Sequence, residues 1–256
     1  DASGIAWQTA DDFQIKKTLG LPHNLMADEL PPVIIQSAIG GTRYPTFGKR
    51  TAADQLDLYA PPYHCDTPWG PLVLSFNGQI TSSLSTQEDY RCDYSDGVIL
   101  ARLLADLLIR NEGNLEHSLQ DLIGTIDGSY SVVGMWNRIS FAFRDPHGIR
   151  PLVYGKRKDG TYVFASESHV LDRAKVSSIH NMPPAEAIAW RSEAKEIIKY
   201  PLRIDPSTHS HCFFEWVYFA NPCSQIENIT VYHVRNRLGE LLAEEILKRK
   251  HLTIDY

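Results

Sequence analysis

Cysteine is scarce in this chain, with 4 among 256 residues, which is too few to staple a disulfide framework. No basic excess is present either. The 25 Lys and Arg against 31 Asp and Glu leave a net charge of -6, so nucleic acid is not expected as the main partner, because a phosphate-binding surface shows as a basic surplus. No apolar run approaches the ~20 residues that cross a bilayer, and Asp1-Ala2-Ser3-Gly4-Ile5 lacks the basic and apolar regions of a signal peptide. The expectation is a cytoplasmic protein that avoids membranes. Internal repeats, low-complexity segments and the paired spacings of zinc sites are also missing. His209, His211 and Cys212, with Cys223 and His233 further on, lack the Cys-x-x-Cys or His-x-x-x-His pattern. What is present is an ordinary globular balance, 43% hydrophobic and 22% charged, in a length that allows one large domain or two modest ones. The chain opens on Asp1 rather than Met and stops in Ile254-Asp255-Tyr256, which reads as the start of a strand. Both ends read as cut.

Periodicity supplies the elements. Val33, Ile34 and Ile35 predict a strand that ends in a Gly40-Gly41 turn and a loop carrying Arg43. A short strand over 71–76 is bounded by Asn77-Gly78, which alone signals a tight turn. The near-continuous apolar spacing of Val98, Ile99, Ala101, Leu103, Leu104, Leu107 and Leu108 predicts a buried helix over 95–110, stopped by Asn111-Glu112-Gly113. A second helix is expected over 115–123, closed by Gly124. Strand-like runs follow at 129–136, 139–143, 152–155, 162–165 and 186–190. An amphipathic helix over 230–250 presents Val231, Val234, Leu238, Leu241, Leu242 and Ile246, and a strand is expected over 252–256. Strands grouped after helices, without strict alternation, predict an α+β fold with antiparallel sheets.

Seven segments then occur in a specific order: IGGTRYPTFG at 39–48, SFNGQI at 75–80, YSDG at 94–97, FRDPHGIRPLVYG at 143–155, FASES at 164–168, PPAEAI at 183–188 and CFFEWVYFANP at 212–222. In this order the chain resembles the amidophosphoribosyltransferases over nearly its whole length. RDPHGIRPL together with CFFEWVYF separates it from asparagine and glucosamine-phosphate synthases. The resemblance implies a class II glutamine amidotransferase domain over 1–211, a four-layer αββα sandwich of two antiparallel sheets of the N-terminal-nucleophile hydrolase kind. Residues 212–256 would be a linker and the first helix and strand of a phosphoribosyltransferase domain.

It also implies roles. Arg43 would hold the α-carboxylate of glutamine, a task suited to a guanidinium fork. Asp96 would receive the α-ammonium, and Asn77 and Gly78 would form the oxyanion hole. The nucleophile of such domains is an amino-terminal Cys whose own amine accepts the thiol proton. DASGIA at 1–6 resembles the segment just after it, and none of Cys65, Cys92, Cys212 or Cys223 offers a free amine. The ammonia would pass to phosphoribosyl diphosphate in the second domain, in a homo-oligomer. No cofactor is expected in this chain: Mg2+ belongs to the transferase domain, as does the iron–sulfur cluster of some relatives, of which Cys212 matches one ligand position.

Several positions depart from the family pattern. The GHxR pattern appears as Gly41-Thr42-Arg43 with no His, HNGN appears as Phe76-Asn77-Gly78-Gln79, Gly97 and Val98 replace the last two residues of SDSE, and Ala185 replaces the Gly of PGE. These changes lie beside the glutamine pocket and remove hydrogen bonds that orient the binding groups. An inactive amidotransferase-like protein with a structural or interaction role is therefore the alternative. The pair Arg144-Asp145, with Pro146-His147-Gly148 after it, is expected to be a structural turn with a local ion pair and no catalytic part.

Overall fold

The computed structural model describes residues 2–10, 12–26, 34–44, 55–81, 95–191, 197–202 and 209–249. In chain order the elements are β1 (Ala2–Gln8), β2 (Phe13–Leu19), α1 (His23–Met26), β3 (Ser37–Arg43), α2 (Leu56–Tyr59), β4 (Tyr63–Cys65), β5 (Leu72–Ile80), α3 (Asp96–Arg110), α4 (Leu115–Thr125), β6 (Gly128–Trp136), β7 (Ile139–Arg144), β8 (Val153–Lys156), β9 (Tyr162–Ala165), α5 (Ser168–Arg173), β10 (Ile179–Asn181), β11 (Glu186–Arg191), β12 (Ile197–Pro201), β13 (Gln225–Ile226), β14 (Ile229–Thr230) and α6 (Val231–Lys248). They divide into two compact units, residues 1–150 with 183–209 and residues 151–182 with 210–256. The expected strand over 252–256 and the position of Val33 lie outside the described residues. Among the described residues no helix is long and apolar enough to cross a membrane.

The first unit is α+β, with antiparallel sheets as the sequence predicts. Its larger sheet runs β12-β11-β7-β6-β5-β4 and its smaller one β2-β1-β3. Side chains alternate along β5, so Leu72 and Leu74 join the α3 and α4 leucines in the main core, including the fully buried Leu100, Leu104, Leu108, Leu119 and Leu122. Val73 points the other way, packing with Met135 of β6 and with Ala6 and Ile39 of the smaller sheet. The order is thus helices, large sheet, small sheet, with α1 and α2 lying against β2.

The helices follow their sequence signals. In α3 the Gly113 N–H reaches the Leu108 carbonyl at 2.8 Å with Gly113 at φ 80°, a left-handed ending that satisfies the last carbonyls. The Asn114 side chain caps α4 by accepting from the His117 N–H at 3.0 Å. Gly124 does not close that helix, which continues to Thr125; a Cβ at Gly124 would meet nothing within 4 Å, and the Ile126 N–H still finds the Leu122 carbonyl at 3.1 Å.

Two glycine signals are overruled by tertiary context. Gly40 and Gly41 do not turn the chain: they lie inside β3, which places Arg43 at a strand end rather than in a loop. A Cβ on Gly41 would stand 2.8 Å from Ser75 Oγ and 2.9 Å from Pro61 Cβ, and one on Gly4, its cross-strand partner, would meet the Pro61 carbonyl more closely still. These glycines serve close packing. Asn77-Gly78 likewise does not turn but continues β5, Asn77 opposite Ser131 and Gly78 opposite Tyr130. Gly78 has φ 157°, and a Cβ there would lie 2.6 Å from Tyr130 Cα.

Gly97, in the first turn of α3, is filled from outside by Tyr63, whose Cζ would be 2.7 Å from an added Cβ. Tyr63 is 4% exposed and its hydroxyl donates to the Tyr59 carbonyl at 3.4 Å, so the ring has little room to retreat. Gly97→Ala is therefore expected to lower unfolding free energy by about 1–3 kcal/mol despite the better helix propensity of alanine. Urea denaturation measures it, and an unchanged or raised midpoint contradicts the packing described.

In the second unit β8 lies between β10 and β9, with Val153, Leu171 and Val176 forming a small core. Glu167 ties the segment before β13, its Oε2 accepting from the Asn221 N–H at 2.7 Å and the Ser224 hydroxyl at 2.8 Å. A π-helical turn spans Glu215–Phe219. Of the α6 stripe, Val231 is buried while Leu242 is 61% exposed.

Candidate functional site

The alternation that buries Val73 between the sheets places Ser75 and Asn77 on that same face, toward the sheet that carries Arg43. Gly41 lies against Ser75, which brings the C-terminal part of β3 over β5. Arg43 is half-buried; its Nη1 donates to the Tyr59 carbonyl at 3.2 Å, and its guanidinium carbon stands 5.3 Å from the centre of the Tyr59 ring. That hydrogen bond and the cation–π contact hold the fork in place.

Asp96 opens α3, where the helix dipole favours a carboxylate. Ser95 occupies the N-cap position without a side-chain cap, its hydroxyl instead reaching the Leu58 carbonyl at 3.4 Å. The Asp96 side chain reaches across to β5, where Oδ2 accepts from the Ile80 N–H at 2.9 Å. Ile80 is three residues beyond Asn77, about 10 Å along an extended strand, which is the scale of one extended amino acid.

Arg43 and the start of α3 meet at the end of α2: Arg43 Nη1 and the Tyr63 hydroxyl share the Tyr59 carbonyl, and the Ser95 hydroxyl reaches the neighbouring Leu58 carbonyl. Burial pushes the Tyr63 phenol up, with a hydrogen bond to Ser95 and the Arg43 charge opposing and the Asp96 charge adding to the rise. A phenol held neutral adds no third charge to the site. Neither Tyr59 nor Tyr63 is indicated by the motif order, although both lie in the polar segment just before β5.

The sequence also gives no sign of what holds Asn77. Its Oδ1 accepts from Arg150 Nη2 at 2.6 Å across 73 residues of sequence. Arg150 ends a turn built on Asp145. That carboxylate is fully buried and accepts from the backbone N–H of His147, Ile149 and Arg150 at 3.0, 3.0 and 3.1 Å and of Tyr130 at 3.2 Å. Arg144, also buried, donates from Nη2 to the Gly148 carbonyl at 2.8 Å and faces His209 Nε2 at 2.8 Å. The turn is held by the Asp145 carboxylate, and it delivers Arg150 to the site.

At the departures from the family pattern, Phe76 stacks on Tyr130 at 6.4 Å and Gly97 accommodates Tyr63. Thr42 is exposed, and Ala185 takes φ 55°, the left-handed region that favours glycine. Cys212 is half-buried ahead of the π-helical turn, and the second unit contains no other cysteine than Cys223.

Residues 50–173 match the family model described as a glutamine amidotransferase domain. Among curated relatives, the amidophosphoribosyltransferases of Pseudomonas aeruginosa and Escherichia coli are each 32% identical, over 98% and 100% of this chain and 52% and 53% of theirs. That of Saccharomyces cerevisiae is 31% identical over 82% of this chain and 44% of its own. The solved structure described as glutamine phosphoribosylpyrophosphate amidotransferase from B. subtilis, complexed with ADP and GMP, superposes with a TM-score of 0.79 at 26% identity, covering 95% of this chain and 52% of that one. A second, described as the allosteric regulatory enzyme of purine biosynthesis, gives 0.80 at 25% identity, covering 99% and 53%.

The chain therefore carries a glutamine amidotransferase domain with the N-terminal-nucleophile hydrolase fold. It spans about half the length of the curated relatives it matches. Within the amidotransferases its family is that of the amidophosphoribosyltransferases.

Proposed function

We propose that the chain is the glutamine-binding and glutaminase part of an amidophosphoribosyltransferase, releasing ammonia that attacks phosphoribosyl diphosphate to give phosphoribosylamine in purine biosynthesis. The observation that carries this reading is that Asp96 is bound to the strand that bears Asn77 and Gly78, while Arg43 is held at the Tyr59 carbonyl, next to the Leu58 carbonyl that Ser95 reaches. Glutamine fits such a frame as a zwitterion. Its carboxylate pairs with Arg43, its ammonium with Asp96, and its side-chain amide extends along β5 toward Asn77. A thiolate from an amino-terminal cysteine, placed before Asp1 in the whole protein, adds to the amide carbon. The oxygen that gains charge is met by the Asn77 amide N–H and the Gly78 backbone N–H. Ammonia leaves with the proton that the terminal amine took from the thiol, and water hydrolyses the thioester to glutamate.

On this reading residues 212–256 begin the phosphoribosyltransferase part, and the whole protein self-associates in the cytoplasm. The test is steady-state glutamine hydrolysis by the full-length protein carrying Arg43→Ala. Losing a charge-assisted carboxylate contact of about 1.5–3 kcal/mol raises KM for glutamine by about 10- to 100-fold. Phosphoribosylamine formation from free ammonium salt should persist, because it bypasses the glutamine site. Hydrolysis with an unchanged KM sinks the assignment of Arg43.

A further inference from the structure

Asn77 has two chemically different ends of nearly the same shape, and only its NH2 end can stabilise a developing oxyanion. An asparagine free to turn over would present its carbonyl oxygen to that charge part of the time. The structure carries a device against this. Arg150 has only donors to offer, so the amide atom 2.6 Å from its Nη2 is Oδ1, and Nδ2 is directed elsewhere. In the reversed amide, donor would face donor.

Arg150 is itself anchored. Its backbone N–H is held at 3.1 Å by the Asp145 oxygen, Oδ2, that also accepts from the N–H of Tyr130 at 3.2 Å. Tyr130 is the cross-strand partner of Gly78. The other oxygen, Oδ1, holds His147 and Ile149, and Arg144 clasps the Gly148 carbonyl, which fixes the turn leading to Arg150. One buried carboxylate is thereby joined to Asn77 through the Arg150 side chain and to Gly78 through the β6 backbone.

We propose that Arg150, anchored by Asp145, is a positioning residue that locks the Asn77 amide with its N–H groups turned toward the reacting carbonyl. This rests on the reading of Asn77 and Gly78 as the oxyanion pair. The lock acts only through Asn77 and contributes to the transition state rather than to glutamine binding.

The test is a double-mutant cycle on glutamine hydrolysis by the full-length protein, with Arg150→Met, Arg150→Lys, Asn77→Ala and the combination of Arg150→Met with Asn77→Ala. Deleting an oxyanion donor costs about 10²–10³ in rate, and losing only its orientation is expected to cost about 10- to 100-fold in kcat, with KM within about 3-fold of wild type. Arg150→Lys, which keeps one donor but not the planar fork, should fall between wild type and Arg150→Met. In the Asn77→Ala background Arg150→Met should cause no further loss. If Asn77→Ala leaves hydrolysis intact, the oxyanion reading itself fails. If Asn77→Ala is impaired while Arg150→Met is not, or the two losses multiply, the positioning role is overturned and the site reading stands. Where Arg150→Met fails to fold by circular dichroism, the cycle runs with Arg150→Lys: a loss that vanishes beside Asn77→Ala supports the lock, and wild-type kcat or a persisting loss overturns it.

Discussion

Asp145→Ala is expected to remove a substantial part of the stability of the first unit. The carboxylate is 0% exposed and receives four backbone N–H groups, from Tyr130, His147, Ile149 and Arg150. Alanine leaves one buried donor, the Tyr130 N–H, and three part-buried ones without an acceptor, at about 1–3 kcal/mol for the buried group and less for those that water reaches. The sum, on the order of 3 kcal/mol, is a substantial part of the roughly 5–15 kcal/mol that holds a domain together. Asp145→Asn should lose less, because its amide oxygen still accepts while its NH2 group confronts N–H donors. Urea unfolding followed by fluorescence compares the two. An Asp145→Ala protein within about 1 kcal/mol of wild type, the range of an ordinary surface change, would mean that water or a shifted loop replaces the carboxylate.

Asn77→Ala should have the largest effect on chemistry, lowering kcat for glutamine hydrolysis by about 10²–10³ with little change in KM, since the lost donor meets charge that exists only near the transition state. Asn77→Asp separates this loss from damage to the fold. A carboxylate there supplies no donor and repels the oxyanion, so hydrolysis should be at least as impaired. The same carboxylate turns the 2.6 Å contact with Arg150 into a charge-assisted pair, and thermal unfolding should occur at an equal or higher temperature. A rise in KM with unchanged kcat in Asn77→Ala would instead place this side chain in ground-state binding.

Much of the fold was legible because its signals are local. The leucine spacing of α3, the Asn114 cap of α4 and the β-branched and aromatic runs of β6, β7 and β9 need no partner to be recognised. The glycines were less legible, because glycine marks either a backbone that must turn or a place where something else must fit. At Gly41 the deciding atoms belong to Pro61 and Ser75, at Gly78 to Ser129 and Tyr130, and at Gly97 to Tyr63. β2, with Lys16 and Lys17 half-buried, carried too little apolar alternation to stand out, and pairing with β1 creates it.

The site divides along the same line. The order of motifs by itself nominated Arg43, Asn77, Gly78 and Asp96, because a side chain's chemistry is written in its identity. Orientation is not. That Arg43 and the start of α3 meet at the Tyr59 and Leu58 carbonyls, that Asn77 shows its oxygen to Arg150, and that Asp145 ties Arg150 to the strand opposite Gly78 were decided only by the tertiary structure. The physical reason is range. Helix and strand periodicities act over a few residues, whereas hydrogen bonds that span 73 residues, such as that from Arg150 to Asn77, exist only once sheet register has brought their partners within 3 Å.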